Sequence, residues 1–221
     1  MEIALKRRAR GEAQKEARRR HILATAEALF RDQSFAETTM ADVAARAGLS
    51  KGAVYLYFET KEQLFLAMLV DALAAWLDAV DARLEKAPAR RPEITARLLA
   101  ESLAERPTLT KLLALLEGVL EHNIDEETAL AWKCFLAARY ERTGALLDAR
   151  LPSLRPGGGA RLLLHMNAFV IGLRQMSDPA PVMKRLAERP EMALFQIDFE
   201  RELTTALTAL LRGLERAAPG I

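Results

Sequence analysis

Residues 38–64 read Thr38-Thr39-Met40-Ala41-Asp42-Val43-Ala44-Ala45-Arg46-Ala47-Gly48-Leu49-Ser50-Lys51-Gly52-Ala53-Val54-Tyr55-Leu56-Tyr57-Phe58-Glu59-Thr60-Lys61-Glu62-Gln63-Leu64. Thr39 is a helix cap, and Asp42, three residues on, completes a capping box with Asp in place of the usual Glu. Met40, Val43, Ala44 and Ala47 then form one apolar face. Gly48 stops that helix, as a left-handed residue at a tight turn does. Ser50 caps a second short helix, Lys51 to Phe58, and Thr60 caps the next. The spacing between the two short helices is informative. Ala44 is small enough for close approach, Gly48 four residues on makes the turn, and Val54 ten residues past Ala44 plugs the angle. This is a helix-turn-helix, whose second helix lies in the DNA major groove. Helices this short need neighbours to be stable. The flanking apolar periodicity supplies them, in a helix from about Ala13 to Phe30 and a long one that starts at Thr60 and stops before Pro88.

Working outward, the remaining chain also reads as helix. Pro92 and Pro107 sit where a first turn tolerates proline. The helix after Pro107 is expected to run to Glu121–Ile124, and Asp125-Glu126-Glu127 opens the next. Pro156–Gly159 reads as a loop, and a last helix is expected over about Leu194–Leu214. No alternating strand pattern and no internal repeat occur. The expectation is an all-α protein of about nine helices: a basic arm at 1–15, a three-helix helix-turn-helix domain at 16–62 and a helical ligand-binding and dimerisation domain at 63–221.

Composition narrows the function classes. The 221 residues are 51% hydrophobic, which excludes a disordered chain, and one cysteine, Cys134, excludes a disulfide scaffold. No run of about 18 charge-free apolar residues marks a membrane span, and no apolar segment marks a signal peptide. A cytoplasmic location without a membrane partner is expected. Residues 1–61 hold 12 Lys/Arg and 8 Asp/Glu, whereas the whole chain carries only +2. The excess of positive charge at this end is the footprint of a polyanion-binding head. For an enzyme, the signs are lacking. His21, His122 and His165 are far apart in sequence, no His-Glu-x-x-His occurs, and Gly157-Gly158-Gly159 lacks the Lys-Ser/Thr of a phosphate loop. No cofactor, metal or catalytic residue is expected.

The 38–64 stretch resembles the DNA-binding domain of TetR/AcrR-family transcriptional regulators. Its paired Thr, small-residue Gly turn, Ser-Lys-Gly, Tyr-x-Tyr-Phe and Lys-Glu-x-Leu carry the likeness, which covers roughly residues 16–70. The resemblance implies a two-fold dimer on double-stranded DNA with an inverted-repeat operator, repressing transcription until a small-molecule effector binds the body. The competing reading is a ligand-independent regulator or activator acting through protein partners.

Chemistry and resemblance together assign DNA-contact roles. Lys51 is placed for a phosphate or a guanine edge, Gly52 for close backbone approach and Ala53 for a thymine methyl. Tyr55 and Tyr57 offer hydroxyls to phosphates, Lys61 is a second phosphate candidate, and Thr39 and Ser50 cap the two helices, Thr39 with its hydroxyl toward a phosphate. In the body, His122, Trp132, Phe135, Tyr140, Met166 and Phe169 are effector-site candidates. Leu163, Asn167, Val170 and Ile171, with Phe199, Leu203, Leu207 and Leu210, are candidates for a four-helix dimer seam.

Overall fold

The computed structural model describes residues 2–86, 91–152 and 154–216, with side chains described from residue 11 to residue 214. Among these residues there are ten α-helices and no strand. In chain order they are α1 (Glu2–Asp32), α2 (Met40–Arg46), α3 (Lys51–Tyr55), α4 (Lys61–Glu85), α5 (Pro92–Ala104), α6 (Pro107–Leu113), α7 (Glu126–Arg150), α8 (Gly158–Ser177), α9 (Pro181–Ala187) and α10 (Phe199–Arg216). Two 3-10 turns, Leu120–Asn123 and Pro190–Phe195, complete the list. The chain divides into a first unit, residues 1–68 with 119–124, and a second, residues 69–118 with 125–221.

The first unit has an aromatic and aliphatic core. Ile22, Ala26 and Phe30 of α1, Val43 of α2, Val54 of α3 and Leu64 and Phe65 of α4 are buried. The Phe65 ring meets Phe30 edge-on at 5.1 Å and Phe35 at 4.9 Å, joining the end of α1 to the start of α4. The 3-10 turn at 120–123 belongs here too. Thr60 donates its hydroxyl proton to the Asn123 carbonyl at 3.1 Å, and the Asn123 amide donates to Glu62 at 3.2 Å. The sequence reading had made this turn the end of a body helix. That helix, α6, stops at Leu113, and residues 114–119 turn before the 3-10 segment begins. Gly118, a poor helix former, lies in that turn.

The second unit packs α7 along α8, and α10 against α5 and α8. Glycines let α7 and α8 approach closely. A Cβ on Gly144 of α7 would collide with the Ala160 backbone, and one on Gly159 of α8 with the Gly144 backbone. The stretch 156–159 is therefore more than a loop: Gly157, at φ +81°, caps α8, and Gly159 lets it cross α7. Asp148 of α7 accepts from the amides of Gly157 at 2.7 Å and Gly159 at 2.6 Å, satisfying the free N–H groups that open α8. Arg150 donates to the carbonyls of Leu84 at 2.7 Å and Glu85 at 3.0 Å, closing α4 in the same way. A buried carboxylate, Asp81, accepts from the Thr143 hydroxyl at 2.6 Å, and its other oxygen lies 3.0 Å from Arg142. The indole N–H of Trp76 donates to Ser102 at 2.9 Å, and the Ser102 hydroxyl donates in turn to the Leu99 carbonyl at 2.8 Å.

Three more helix boundaries differ from expectation, the first being α3, which ends at Tyr55 rather than Phe58. α1 starts at Glu2 rather than near Ala13, so residues 2–15 of the expected basic arm are part of the helix. They are rich in Ala, Arg, Lys and Glu and contain no proline, which is strong helix propensity without an amphipathic stripe to reveal it. α10 starts at Phe199 rather than Leu194, because the Asp198 carboxylate accepts from the Arg201 amide at 2.9 Å and fixes the cap there. α4 has the length and hydropathy of a membrane span. It carries Asp71, Asp78 and Asp81, however, and 50% of its most apolar window is buried inside the protein, as in a core helix.

Candidate nucleic-acid interface

The helix-turn-helix is assembled by caps and one plug. Thr39 precedes α2 in an extended conformation and accepts from the Asp42 amide, while Asp42 accepts from the Thr39 amide at 3.0 Å, so the capping box is complete. Gly48 has φ +65°, as the turn requires. Ser50 caps α3 by accepting from the Ala53 amide at 3.2 Å. Val54 is fully buried and Phe58 nearly so, which fixes the rotation of α3 about its axis.

That rotation decides what faces outward. Ser50, Lys51, Gly52, Tyr55 and Leu56 are exposed, Ala53 is half-buried, and the Lys51 ammonium lies 5.7 Å above the Tyr55 ring. Leu56 is 83% exposed, an isolated large apolar side chain at the exit of the helix. The sequence reading passed over it; its place between the two tyrosines was the available signal. Tyr57, by contrast, is half-buried and lines a cleft against α1.

Two sequence candidates are otherwise engaged. Lys61 turns inward: its ammonium donates to the carbonyls of Phe35 at 2.7 Å and Thr38 at 3.0 Å and sits 3.9 Å from the Phe35 ring centroid. It clamps the segment between α1 and α2 and has one proton left to offer. The Thr39 hydroxyl donates to Asp42 at 2.6 Å, and that hydrogen bond holds the Asp42 carboxyl below its ordinary pKa. An ionised carboxylate therefore occupies the start of α2, where the sequence reading placed a phosphate.

In the second unit, Trp132 is buried and stacks with half-buried Phe135 at 6.0 Å, both on α7. Burial pushes the Tyr140 phenol well above its ordinary pKa, and the charge of Glu117 adds to the shift. Met166 of α8 is buried, but Phe169 faces outward. His122 is exposed on the 3-10 turn, in the first unit. Of the dimer candidates, Leu163, Val170, Leu203 and Leu207 fill the core of their own chain. Asn167, Ile171, Phe199 and Leu210 are half-exposed, and Leu164, Phe169 and Met176 are the large apolar side chains that α8 exposes. Among the described residues no group of His, Cys, Asp and Glu is arranged to hold a metal. Cys134 is exposed.

Residues 22–68 match the model for bacterial regulatory proteins of the tetR family, and residues 70–218 match the tetracyclin repressor-like C-terminal domain. The chain belongs to the TetR family. TetR-family proteins are DNA-binding transcriptional regulators rather than enzymes. The chain is 29% identical over 216 residues to the regulator BetI of Cronobacter sakazakii, covering 91% of this chain and 93% of that protein. It is 26% identical over 176 residues to EthR of Mycobacterium tuberculosis, covering 77% of each. The fold is similar to that of Bacillus subtilis FadR, solved in complex with stearoyl-CoA: TM-score 0.55, 16% identity, 91% of this chain and 98% of that one. The family's DNA-binding model begins at residue 22, so the first two-thirds of α1 lie outside it.

Proposed function

We propose that this TetR-family regulator acts as a cytoplasmic homodimeric repressor, released from an inverted-repeat operator by a small apolar or aromatic effector. The observation that carries the DNA half is the outward row Lys51, Gly52, Tyr55 and Leu56, on a helix whose rotation is locked by Val54. Gly52 supports it: a Cβ there would meet nothing within 4 Å, so packing within the chain gives no reason for a glycine. Close approach of a DNA backbone gives one. Leu56 is suited to a thymine methyl, Lys51 to a guanine edge or a phosphate, and the Tyr55 hydroxyl to a phosphate. Residues 16–62 act as the reading head. The body from residue 63 onward supplies the effector site, with Trp132, Phe135, Tyr140 and Met166 as its lining. Fatty acyl-CoA in the FadR relative is in keeping with an apolar ligand.

Dimerisation uses the outward faces of α8 and α10, with Asn167, Ile171, Phe199 and Leu210 at the seam. Two heads on one frame double the base contacts and fix half-sites about 34–36 Å apart. An effector then needs a coupling of only about 1–3 kcal/mol to lower affinity 5–150-fold. The test is selection of genomic DNA fragments by the purified protein beside its Lys51→Ala and Tyr55→Ala variants. One inverted-repeat site, enriched by the parent protein and lost in both variants, is the expected result. Weak binding without a common site, equal in all three proteins, would overturn the reading.

A further inference from the structure

Beside the helix-turn-helix lies a second basic feature, whose cations precede the first residue that the family model matches. One face of α1, formed by Gly11, Gln14, Lys15, Arg18 and His21 at helical spacing, borders an open cleft of about 910 Å³. Its opposite wall is Ala47, Gly48 and Leu49 of the turn between α2 and α3, and Tyr57 just past α3. His21 holds the two walls together, its Nε2–H donating to the Ala47 carbonyl at 3.1 Å.

The polar groups in this cleft are a matched set. Among the described residues, Lys15 and Arg18 have no ion-pair partner and no carboxylate lines the cleft. Arg19 and Arg20, the neighbours that point elsewhere on α1, each lie 3.9 Å from Glu16. The backbone amides of Gly48 and Leu49 are satisfied by Ala45 and Ala44. What remains is side-chain donors: an ammonium, a guanidinium, a carboxamide and a phenol hydroxyl. An open trough with cations and no anion suits a phosphodiester strand running past, rather than an enclosed small molecule.

We infer that this cleft is a phosphate clamp for the DNA backbone, in which Lys15, Arg18 and the Tyr57 hydroxyl grip the strand flanking the bases that α3 reads. The inference rests on the DNA-binding reading above, since the cleft's far wall is the turn that leads into α3, with Tyr57 just past it. It assigns α1 a role of its own: affinity and register without sequence information.

The test is the salt dependence of binding by the full chain, for the parent, Lys15→Ala/Arg18→Ala and Arg20→Ala, on the selected operator and on an unrelated duplex. Each phosphate contact contributes about 0.9 to the slope of log K against log salt. The double variant is expected to lose about 1.8 for each bound head on both duplexes, while Arg20→Ala stays near the parent and operator preference is kept. Hydroxyl-radical footprints of the double variant should lose protection outside the half-sites. An unchanged slope in the double variant, or an equal loss in Arg20→Ala, would overturn the clamp. Failure to select any operator would sink the sequence-reading proposal alone, because the clamp is still measured on the unrelated duplex.

Discussion

Replacing Gly48 by alanine isolates one term of the helix-turn-helix. Gly48 holds φ at +65°, and a Cβ there would meet nothing within 4 Å. Steric collision is therefore absent, and what remains is the cost of holding an L-residue in the left-handed region, about 1–2 kcal/mol. Alanine also narrows the unfolded ensemble, which returns about 0.4–1 kcal/mol. The net loss should be about 1 kcal/mol. Asparagine, which tolerates this region, should cost less. Both hydrogen bonds of the turn, Gly48 N–H to Ala45 at 3.2 Å and Leu49 N–H to Ala44 at 2.9 Å, are backbone bonds and survive either change. The assay is urea unfolding followed by far-ultraviolet circular dichroism and by tryptophan fluorescence. Both tryptophans, Trp76 and Trp132, lie in the second unit, so fluorescence alone does not report on the head. The dichroism midpoint should fall for Gly48→Ala and recover in part for Gly48→Asn, with DNA affinity unchanged while the head is folded. A Gly48→Ala protein as stable as the parent, or an asparagine variant no better than alanine, would refute the reasoning.

Gly159→Ala should be far worse than Gly48→Ala, about 3 kcal/mol or loss of soluble protein, because its Cβ strikes the Gly144 backbone rather than open space; thermal melts of the two variants rank them. Ser102→Ala strands the buried Trp76 indole N–H and should cost about 1–3 kcal/mol, read as a lower urea midpoint by fluorescence. Hydrogen bonds hold Glu37, Asp42, Glu93 and Asp178 below their ordinary values, through Ser34, Thr39, the Glu93 amide and Lys184 respectively. Their stabilisation is complete above the unfolded values of 3.8 for Asp and 4.5 for Glu and is lost as pH falls through the lower folded values. Tyr140 is raised, so its contribution holds below the unfolded value of 10.0 and is lost as pH rises beyond it. Melting temperature against pH should show both arms, and Tyr140→Phe should flatten the alkaline one.

The helix-turn-helix was legible because its determinants are local. Capping at Thr39 and Ser50, the turn at Gly48 and the plug at Val54 all act within a few residues, so their spacing in the chain is their spacing in space. Helix starts at Pro92, Pro107 and Asp125 were legible for the same reason. What the sequence did not show were contacts with partners distant in the chain. Lys61 reads as a phosphate candidate, and only the structure shows it also donating hydrogen bonds to the Phe35 and Thr38 carbonyls. The turn that carries His122 reads as the end of a body helix, yet it joins the first unit through Asn123 and Thr60.

The sequence alone determined the helical class, the reading head and the side chains α3 can offer, since periodicity and caps are short-range signals. Only tertiary structure decided which face each helix presents. Leu163 and Leu203 look the same in the sequence as residues of an exposed seam, yet they are core. Gly157–Gly159 look like a loop, yet they open a helix and let it cross α7. The cleft that holds Lys15 and Arg18 forms where α1 packs on α2, with His21 reaching across 26 residues to Ala47. Burial and contact between segments far apart in the chain depend on packing, and no local pattern encodes them.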